Sequence, residues 1–224
     1  MPPILVKLVE LALVGTYTLY VVRQCRRPSS WLGRRLARSM NVSHAKLTHW
    51  GLSHTDVQPD FTMLDVGCGG GRTVETLASM AVDGHVFGID YSPASVTVAR
   101  ERNQASIERG RVEIREGSVS SLPYPDGTFD LVTAVETHYY WPDLPGDVRE
   151  VMRVLKPGGT FMIIAETYRG RRNDWLYRPV MQLLLRAAYL TPDQHRDLLV
   201  NAGYRDVQVV EERDRGWICA TGRR

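Results

Sequence analysis

A cluster of glycines directly after a short apolar segment constrains this chain more than any other feature. The segment reads Leu64-Asp65-Val66, and four of the next five residues are glycines. Glycine accepts positive φ angles and lets a ligand approach the backbone closely. A helix beginning near Arg72 would direct free N–H groups at the same spot. The cluster therefore predicts a strand–turn–helix unit whose backbone contacts a nucleotide-like cofactor.

Apolar strand patterns and helix patterns alternate along the rest of the chain. Strands are predicted at 61–66, 86–89, 112–115, 129–135, 160–165, 206–211 and 217–221. Helices are predicted at 73–80, 92–108, 147–155, 173–189 and 191–203, after one or two short helices within 31–55. Strands that are apolar at nearly every position are buried on both faces. The pattern predicts an α/β fold with a doubly wound, mostly parallel, seven-stranded sheet.

The spacing of the glycines separates two kinds of nucleotide site. A dinucleotide fingerprint, G-x-G-x-x-G, would place its third glycine at position 72. Arginine stands there, and it would obstruct the close strand–helix packing that the third glycine permits. An NAD-dependent oxidoreductase is therefore disfavoured.

Four motifs in one order make the chain similar to the class I S-adenosylmethionine-dependent methyltransferases. They are LDVGCGGGR from residue 64, GIDYSP from residue 88, EGSVSSLPYPDGTFDLVTAVET from residue 116 and VLKPGGTFMI from residue 154. The resemblance extends loosely from about residue 41 to residue 222 and implies a Rossmann-like methyltransferase fold. It also implies S-adenosylmethionine as the cofactor.

The resemblance implies a set of cofactor-binding residues. The set comprises Asp65, Gly67, Cys68, Gly69, Asp90, Tyr91, Ser118, Val119 and Glu136. Asp65 would lie near the ammonium group of the cofactor, and Asp90 would accept both ribose hydroxyls. Tyr91 would lie against the adenine, with residues 118–119 at the adenine edge. Many members of the family have aspartate at the position of Ser118, and a hydroxyl is a weaker acceptor.

Each of these roles has a structural alternative. Asp65 could cap free N–H groups of the helix. Asp90 could be a solvated turn residue, and Tyr91 could simply pack in the core. Cys68 could be a reactive thiol, although the turn requires only a small side chain there.

Catalytic candidates follow the fourth predicted strand, where the family places its substrate. His138 is the candidate general base because an unperturbed imidazole has a pKa of about 6.5. Glu136 could hold the methionine part of the cofactor or face the substrate, and Tyr139 belongs to an aromatic group that could exclude water. The alternatives are a loop histidine that moves no proton and ordinary aromatic packing.

Other polar and aromatic clusters are less specific. The histidines at 44, 49 and 54 do not share a helix face, so no metal site is predicted. Residues 50–52 and the aromatic residues Trp175 and Tyr177 could cover the site. The run 169–172, which contains three arginines, could meet an anionic substrate group or be a solvated loop. Three scattered cysteines indicate neither a disulfide framework nor zinc, and they favour a reducing compartment.

The N-terminal part of the chain differs from the rest in charge and hydropathy. Residues 1–38 carry seven basic residues and one acidic residue, whereas the remainder carries 21 basic and 24 acidic. Residues 3–22 are long and apolar enough to span a bilayer, despite Lys7 and Glu10, and arginines follow them. A membrane anchor, a helix packed on protein and a basic RNA-binding arm are all open. The expected organisation is a hydrophobic helix with its basic flank at 1–27 and a methyltransferase domain at 28–224, with lid helices at 28–58.

Together these features predict a cytoplasmic methyltransferase, with residues 3–22 as a candidate anchor on the cytoplasmic face of a membrane. Its acceptor is expected to be a small apolar or aromatic molecule. The acidic balance of the main domain argues against nucleic acid as a partner. A protein or RNA methyltransferase and a non-catalytic cofactor-binding scaffold remain alternatives, and the sequence does not indicate an oligomeric state.

Overall fold

The computed structural model describes Arg35 and residues 44–224, and these contain a single seven-stranded sheet. The predictions for residues 1–34 and 36–43, including the apolar segment 3–22, lie outside the described residues. The strands are β1 (Thr62–Val66), β2 (His85–Asp90), β3 (Val112–Glu116), β4 (Phe129–Val135), β5 (Leu155–Ala165), β6 (Arg205–Glu212) and β7 (Trp217–Arg223). Their order is β3-β2-β1-β4-β5-β7-β6, and β7 alone runs opposite to the other six strands. The predicted doubly wound, mostly parallel sheet is confirmed.

Six α-helices connect the strands of the described domain. They are α1 (Ala45–Leu52), α2 (Arg72–Met80), α3 (Pro93–Glu108), α4 (Leu144–Val154), α5 (Asp174–Pro179) and α6 (Pro192–Ala202). The Ser92 hydroxyl accepts the N–H of Ser95 at the start of α3, and Thr191 forms a capping box with Gln194 at the start of α6. These caps satisfy N–H groups that have no partner within the helix, which explains why both helices start where the sequence predicts.

The hydrophobic core lies on both faces of the sheet. Along β1, Leu64 and Val66 pack with the cluster that includes α4 and α6, whereas Met63 packs with the cluster that includes α1, α2 and α3. This alternation follows from the two-residue period of a strand. Helices on both faces leave the carboxyl ends of the parallel strands as the open edge where a ligand can bind.

The helix predicted over 173–189 is wrong in its extent. The α-helix there covers only Asp174–Pro179, and a π-helical turn follows at Val180–Leu184. Pro179 has no N–H to donate, and Arg186 has a φ of 50°, which ends helical geometry. Strand β5 also begins earlier than predicted, at Leu155, with a register irregularity against β4.

None of the helices in the described part of the chain is long and apolar enough to cross a bilayer. The membrane-anchor interpretation of residues 3–22 is untouched by this finding, because that segment is not described.

Candidate active site

A crevice of about 360 Å³ opens at the carboxyl ends of β1, β2 and β4. Its size falls within the range of about 300–1,000 Å³ that is typical of small-molecule sites. All nine predicted cofactor-binding residues line this crevice. It lies where β1 and β4 are neighbours and the chain turns to opposite sides of the sheet, which is the switch point of a doubly wound fold.

The glycine turn is held against the end of β2 by backbone contacts. The N–H groups of Gly67 and Cys68 both donate to the carbonyl of Ile89, at 2.8 and 3.0 Å. Gly67 has a φ of 74°, and a Cβ there would lie 2.1 Å from the hydroxyl oxygen of Thr137. Gly69 has a φ of 51°, but a Cβ there would meet no atom within 4 Å. Gly69 is thus needed for its conformation, whereas Gly67 is needed for both conformation and space.

Gly71 makes the close helix packing that a dinucleotide fingerprint would assign to position 72. Its φ is 79°, and an added Cβ would lie 2.8 Å from the Cα of Ala99 in α3. The Asn103 side-chain amide donates to the Gly71 carbonyl at 2.9 Å and fixes this approach. Arg72 is the first residue of α2, so the arginine lies after the tight contact and does not obstruct it.

Asp90 fastens the glycine turn to β2. Its Oδ2 accepts the N–H of Gly69 at 2.9 Å, and its Oδ1 accepts the N–H of Ser92 at 2.8 Å. The residue is buried, so the alternative of a solvated turn residue is wrong. Burial raises the pKa of Asp90, although the two N–H donors act in the opposite direction. Each carboxylate oxygen keeps a second lone pair with which it can accept a ligand hydroxyl.

Asp65 is a buried carboxyl group on the crevice wall. Only 2% of the residue is exposed, and its Oδ1 accepts the hydroxyl of Thr133 at 2.7 Å. Burial raises its pKa to about 7. Among the described residues, no basic side chain forms an ion pair with Asp65 and no helix N–H donates to it. The helix-capping alternative is therefore disfavoured, and the site suits a cationic group supplied by a ligand.

Three further residues form the adenine side of the predicted site. Tyr91 is exposed at the crevice, and Val119 is a buried residue of its lining. The Ser118 hydroxyl lines the crevice and accepts the N–H of Ser120 at 3.2 Å.

Cys68 is buried, and burial raises the pKa of its thiol well above the ordinary value. The thiol therefore stays protonated, as expected of a small packing residue rather than a nucleophile.

The structure places His138 away from the crevice. The residue is 1% exposed and does not line the cavity. Its Nε2 lies 3.1 Å from Nε2 of His195, whose Nδ1 lies 2.9 Å from the Thr191 carbonyl. Because a carbonyl only accepts, Nδ1 of His195 carries a proton, and His138 donates through Nε2 to His195. Burial lowers the pKa of both rings, so the neutral pair serves packing against α6 and disfavours His138 as the general base.

Tyr139 and Glu136 form a connected pair. The Tyr139 hydroxyl donates to Oε2 of Glu136 at 2.7 Å, and the N–H of Glu166 donates to the other oxygen. Glu136 lines the crevice, whereas Tyr139 lies behind it in a buried cluster. Glu136 also has a φ of 57°, a left-handed conformation that non-glycine residues adopt at a cost. Tyr139 thus positions Glu136 and does not itself face the crevice. The aromatic residues that line the crevice include Tyr140 and Trp141.

His44 is a crevice residue that the sequence analysis did not assign to the site. Its Nε2 lies 3.5 Å from Oε1 of Glu166. Burial lowers the pKa of His44, but the hydrogen bond to Glu166 and the charge of Glu136 outweigh this effect and raise it. No local pattern connects these residues, because 122 positions separate His44 from Glu166 and only the fold brings them together.

His44, Glu136 and Glu166 also form a group that could hold a metal ion. Their ligand atoms all lie within 4.8 Å of one another. The ion pair and the two hydrogen bonds to Glu136 already account for these contacts. The expectation that the chain binds no metal stays a prediction.

Residues 64–163 match a family model described as a methyltransferase domain. This part of the chain, less than half of its length, is similar to a methyltransferase domain. A crystal structure of an S-adenosylmethionine-dependent methyltransferase from Aquifex aeolicus shares the fold, with a TM-score of 0.67 and 23% identity over 85% of this chain and 96% of that one.

The chain is also similar to two curated methyltransferases that act on small molecules by their names. The demethylmenaquinone methyltransferase of Symbiobacterium thermophilum is 37% identical over 114 residues, which are 50% of this chain and 45% of that protein. The sterol 24-C-methyltransferase erg-4 of Neurospora crassa is 32% identical over 117 residues, which are 52% of this chain and 31% of that protein. The chain thus spans less than half the length of these two relatives.

Proposed function

We propose that this chain is a methyltransferase that transfers the methyl group of S-adenosylmethionine to a small lipophilic acceptor. The observation that carries the proposal is the pair of buried carboxyl groups, Asp65 and Asp90, at the ends of the neighbouring strands β1 and β2. Asp65 has no cationic partner among the described residues, and Asp90 can accept a further hydrogen bond on each of its two oxygens. An amino acid joined to a nucleoside carries the ammonium group and the vicinal hydroxyls that these two carboxyl groups suit.

The remaining crevice residues complete the proposed cofactor site. Gly67, Cys68 and Gly69 would line the methionine part, and Tyr91 with residues 118–119 would contact the adenine. S-adenosylmethionine, when bound, supplies an electrophilic methyl group on a sulfonium. The contribution of the chain is alignment and the exclusion of water, and alignment can supply up to about 7–11 kcal/mol in well-oriented systems.

The acceptor side of the crevice is mainly apolar. Val135, Tyr140, Trp141 and Pro142 line it, all at or just beyond the end of β4. This lining supports a hydrophobic or aromatic acceptor, and the names of the demethylmenaquinone and sterol relatives support the same class. The apolar segment 3–22 with its arginine flank supports a place on the cytoplasmic face of a membrane, where such acceptors concentrate.

His44 is the proposed proton acceptor in place of His138. It lines the crevice, and Glu166 holds one of its ring nitrogens. The other nitrogen of His44 would accept the proton that the acceptor's nucleophile loses when it takes the methyl group, while the bond between that methyl group and sulfur breaks and its electron pair stays on sulfur. Glu166 and Glu136 stabilise the imidazolium that results, as their effect on the pKa of His44 indicates.

Parallel calorimetry and turnover assays test this function. The full-length protein is titrated with S-adenosylmethionine and with NAD, and then assayed for methyl transfer to a panel of hydroquinones, sterols and peptides. We expect binding of S-adenosylmethionine alone and transfer to a lipophilic acceptor. His44→Ala should retain cofactor binding and lose turnover, and Glu166→Gln should shift the pH–rate profile to lower pH. Binding of NAD instead would refute the cofactor, and transfer to peptides alone would refute the acceptor class.

A further inference from the structure

A set of apolar side chains on the segment after β5 is exposed to solvent. We call it the outer face; it consists of Trp175, Leu176, Pro179, Val180 and Leu183. Trp175 is 73% exposed and Leu183 is 79% exposed. Trp175, Pro179 and Leu183 recur every four residues along α5 and the π-helical turn after it, so they lie along one side of the segment. A contiguous apolar stripe on a soluble domain marks an interaction surface.

The opposite side of the same segment is packed firmly on the domain. Met181 and Tyr189 are buried in a cluster with Tyr139 and Tyr168. The N–H of Ala188 donates to the carbonyl of Tyr139 at 2.8 Å. The segment therefore has a core side of its own, and the outer face is not needed to complete it. Because Tyr139 also bonds to the crevice residue Glu136, the outer face is joined to the candidate active site through buried contacts.

The rim of the outer face is strongly basic. Residues 169–186 contain five arginines and one acidic residue. That acidic residue, Asp174, accepts the hydroxyl of Tyr189, and the guanidinium of Arg171 lies 4.2 Å from the ring centroid of Tyr177. Arg172, Arg178 and Arg186 are exposed. The surface thus combines an apolar stripe, a tryptophan and a positive rim.

We propose that the outer face docks on the surface of an anionic lipid bilayer. A helical segment with apolar and aromatic side chains on one side and arginines beside them, here α5 with the π-helical turn, is suited to lie in the interface at the level of the headgroups. Each basic side chain near an anionic surface contributes about 1 kcal/mol to binding. The docked surface would lie against the membrane without crossing it.

The charge of the surface also decides between possible occupants. The N-terminal region, residues 1–38, has seven basic residues and one acidic, so it would repel the arginine rim. A second copy bound through the same face would bring two positive rims together. An anionic bilayer is the occupant that complements both the apolar stripe and its charge.

Vesicle co-sedimentation of the full-length protein tests the proposal. Vesicles of phosphatidylcholine, with or without phosphatidylglycerol, are compared using wild type, the variant Trp175→Ser with Leu183→Ser, and the variant Arg178→Gln with Arg186→Gln. Val82→Ser with Val200→Ser is the matched control, because both side chains are exposed but lie outside the stripe. Removal of the two arginines should weaken binding to anionic vesicles roughly 30-fold, which is about 1 kcal/mol for each. The Trp175 and Leu183 variant should also bind more weakly, and the control should bind as wild type.

Three results would overturn the proposal. One is equal binding of wild type and both patch variants to anionic vesicles, which would assign any membrane binding to another segment. Another is a change of oligomeric state in the patch variants by light scattering, which would assign the surface to a second copy. The third is increased proteolysis of residues 1–38 in the patch variants, which would assign the surface to that segment. Unchanged affinity for S-adenosylmethionine in the variants confirms that the domain is folded, so this test is separate from that of the proposed function.

Discussion

Replacement of Asp65 by asparagine is expected to stabilise the ligand-free protein and to weaken cofactor binding. The carboxyl group is buried, and its hydrogen bond from Thr133 can be kept by the amide oxygen of asparagine. Burial raises the pKa of Asp65 from 3.8 to about 7. The ionised carboxylate is therefore a cost to the ligand-free fold that only a cationic ligand offsets.

The size of the effect follows from that pKa. A rise of about three units corresponds to roughly 4 kcal/mol at pH 7 and above. The folded carboxyl group keeps its proton to higher pH than the unfolded one, so its stabilising contribution is complete below about pH 4 and is lost as the pH rises through about 7. The new amide N–H groups of Asp65→Asn lack partners, which costs about 1–3 kcal/mol. The net increase in the free energy of unfolding at pH 8 should therefore be about 1–3 kcal/mol. The melting temperature should rise by roughly 2–4 °C for each kcal/mol.

The effect on binding has the opposite sign. Loss of a charged hydrogen-bond partner for the ammonium group should cost about 1.5–3 kcal/mol, or roughly 10- to 150-fold in affinity. Thermal unfolding without ligand and calorimetry with S-adenosylmethionine, each between pH 5.5 and 7.5, measure the two effects. The affinity of the wild type should rise with pH, and that of Asp65→Asn should not. Thr133→Val serves as a control, because loss of its hydrogen bond should move the pH dependence upward without removing the charge. Unchanged affinity in Asp65→Asn would refute the ammonium contact, and a lower melting temperature would refute the burial cost.

Three further predictions concern the fold around the site. Protonation of the buried pair His138 and His195 is disfavoured in the folded state, so the free energy of unfolding should fall as the pH drops below about 6.5. Urea unfolding should show a smaller fall for His138→Gln, and this variant should also retain turnover. Gly71→Ala should lower the free energy of unfolding by at least about 2 kcal/mol through a positive φ and a clash, whereas Gly69→Ala, with open space, should cost about 1–2 kcal/mol. Asp90→Ala leaves two backbone N–H groups without their acceptor, so it should lower the free energy of unfolding by about 2–4 kcal/mol. It should also lower the affinity for the cofactor. An affinity equal to that of the wild type by calorimetry would refute the ribose contact.

Features governed by local chemistry could be predicted from the sequence. The end of β1 and the start of α2 follow from an apolar strand and a set of glycines. The start of α3 follows from a serine cap and a proline at the first helical position. Because parallel strands end at one edge of the sheet, residues spread from Asp65 to Glu136 could be expected at a common crevice, and the structure brings them there.

Features governed by distant contacts could not be predicted. His138 is neutral and buried because it meets His195, which is 57 positions away and reaches it only through the packing of α6. The crevice residue His44 forms an ion pair with Glu166, which is distant from it in the sequence. The break of the helix predicted over 173–189 is different, because Pro179 is a local signal for it that the continuous apolar pattern outweighed, whereas the positive φ of Arg186 has no such signal.

A crystal structure of the full-length protein with S-adenosylhomocysteine tests the central claim most directly. The account predicts density along the glycine turn, with the ammonium group at Asp65 and both ribose hydroxyls on the oxygens of Asp90. It also predicts that the sulfur faces the apolar acceptor side near Tyr140. Density for the ligand outside this crevice, or within it but with the ribose away from Asp90, would contradict the account.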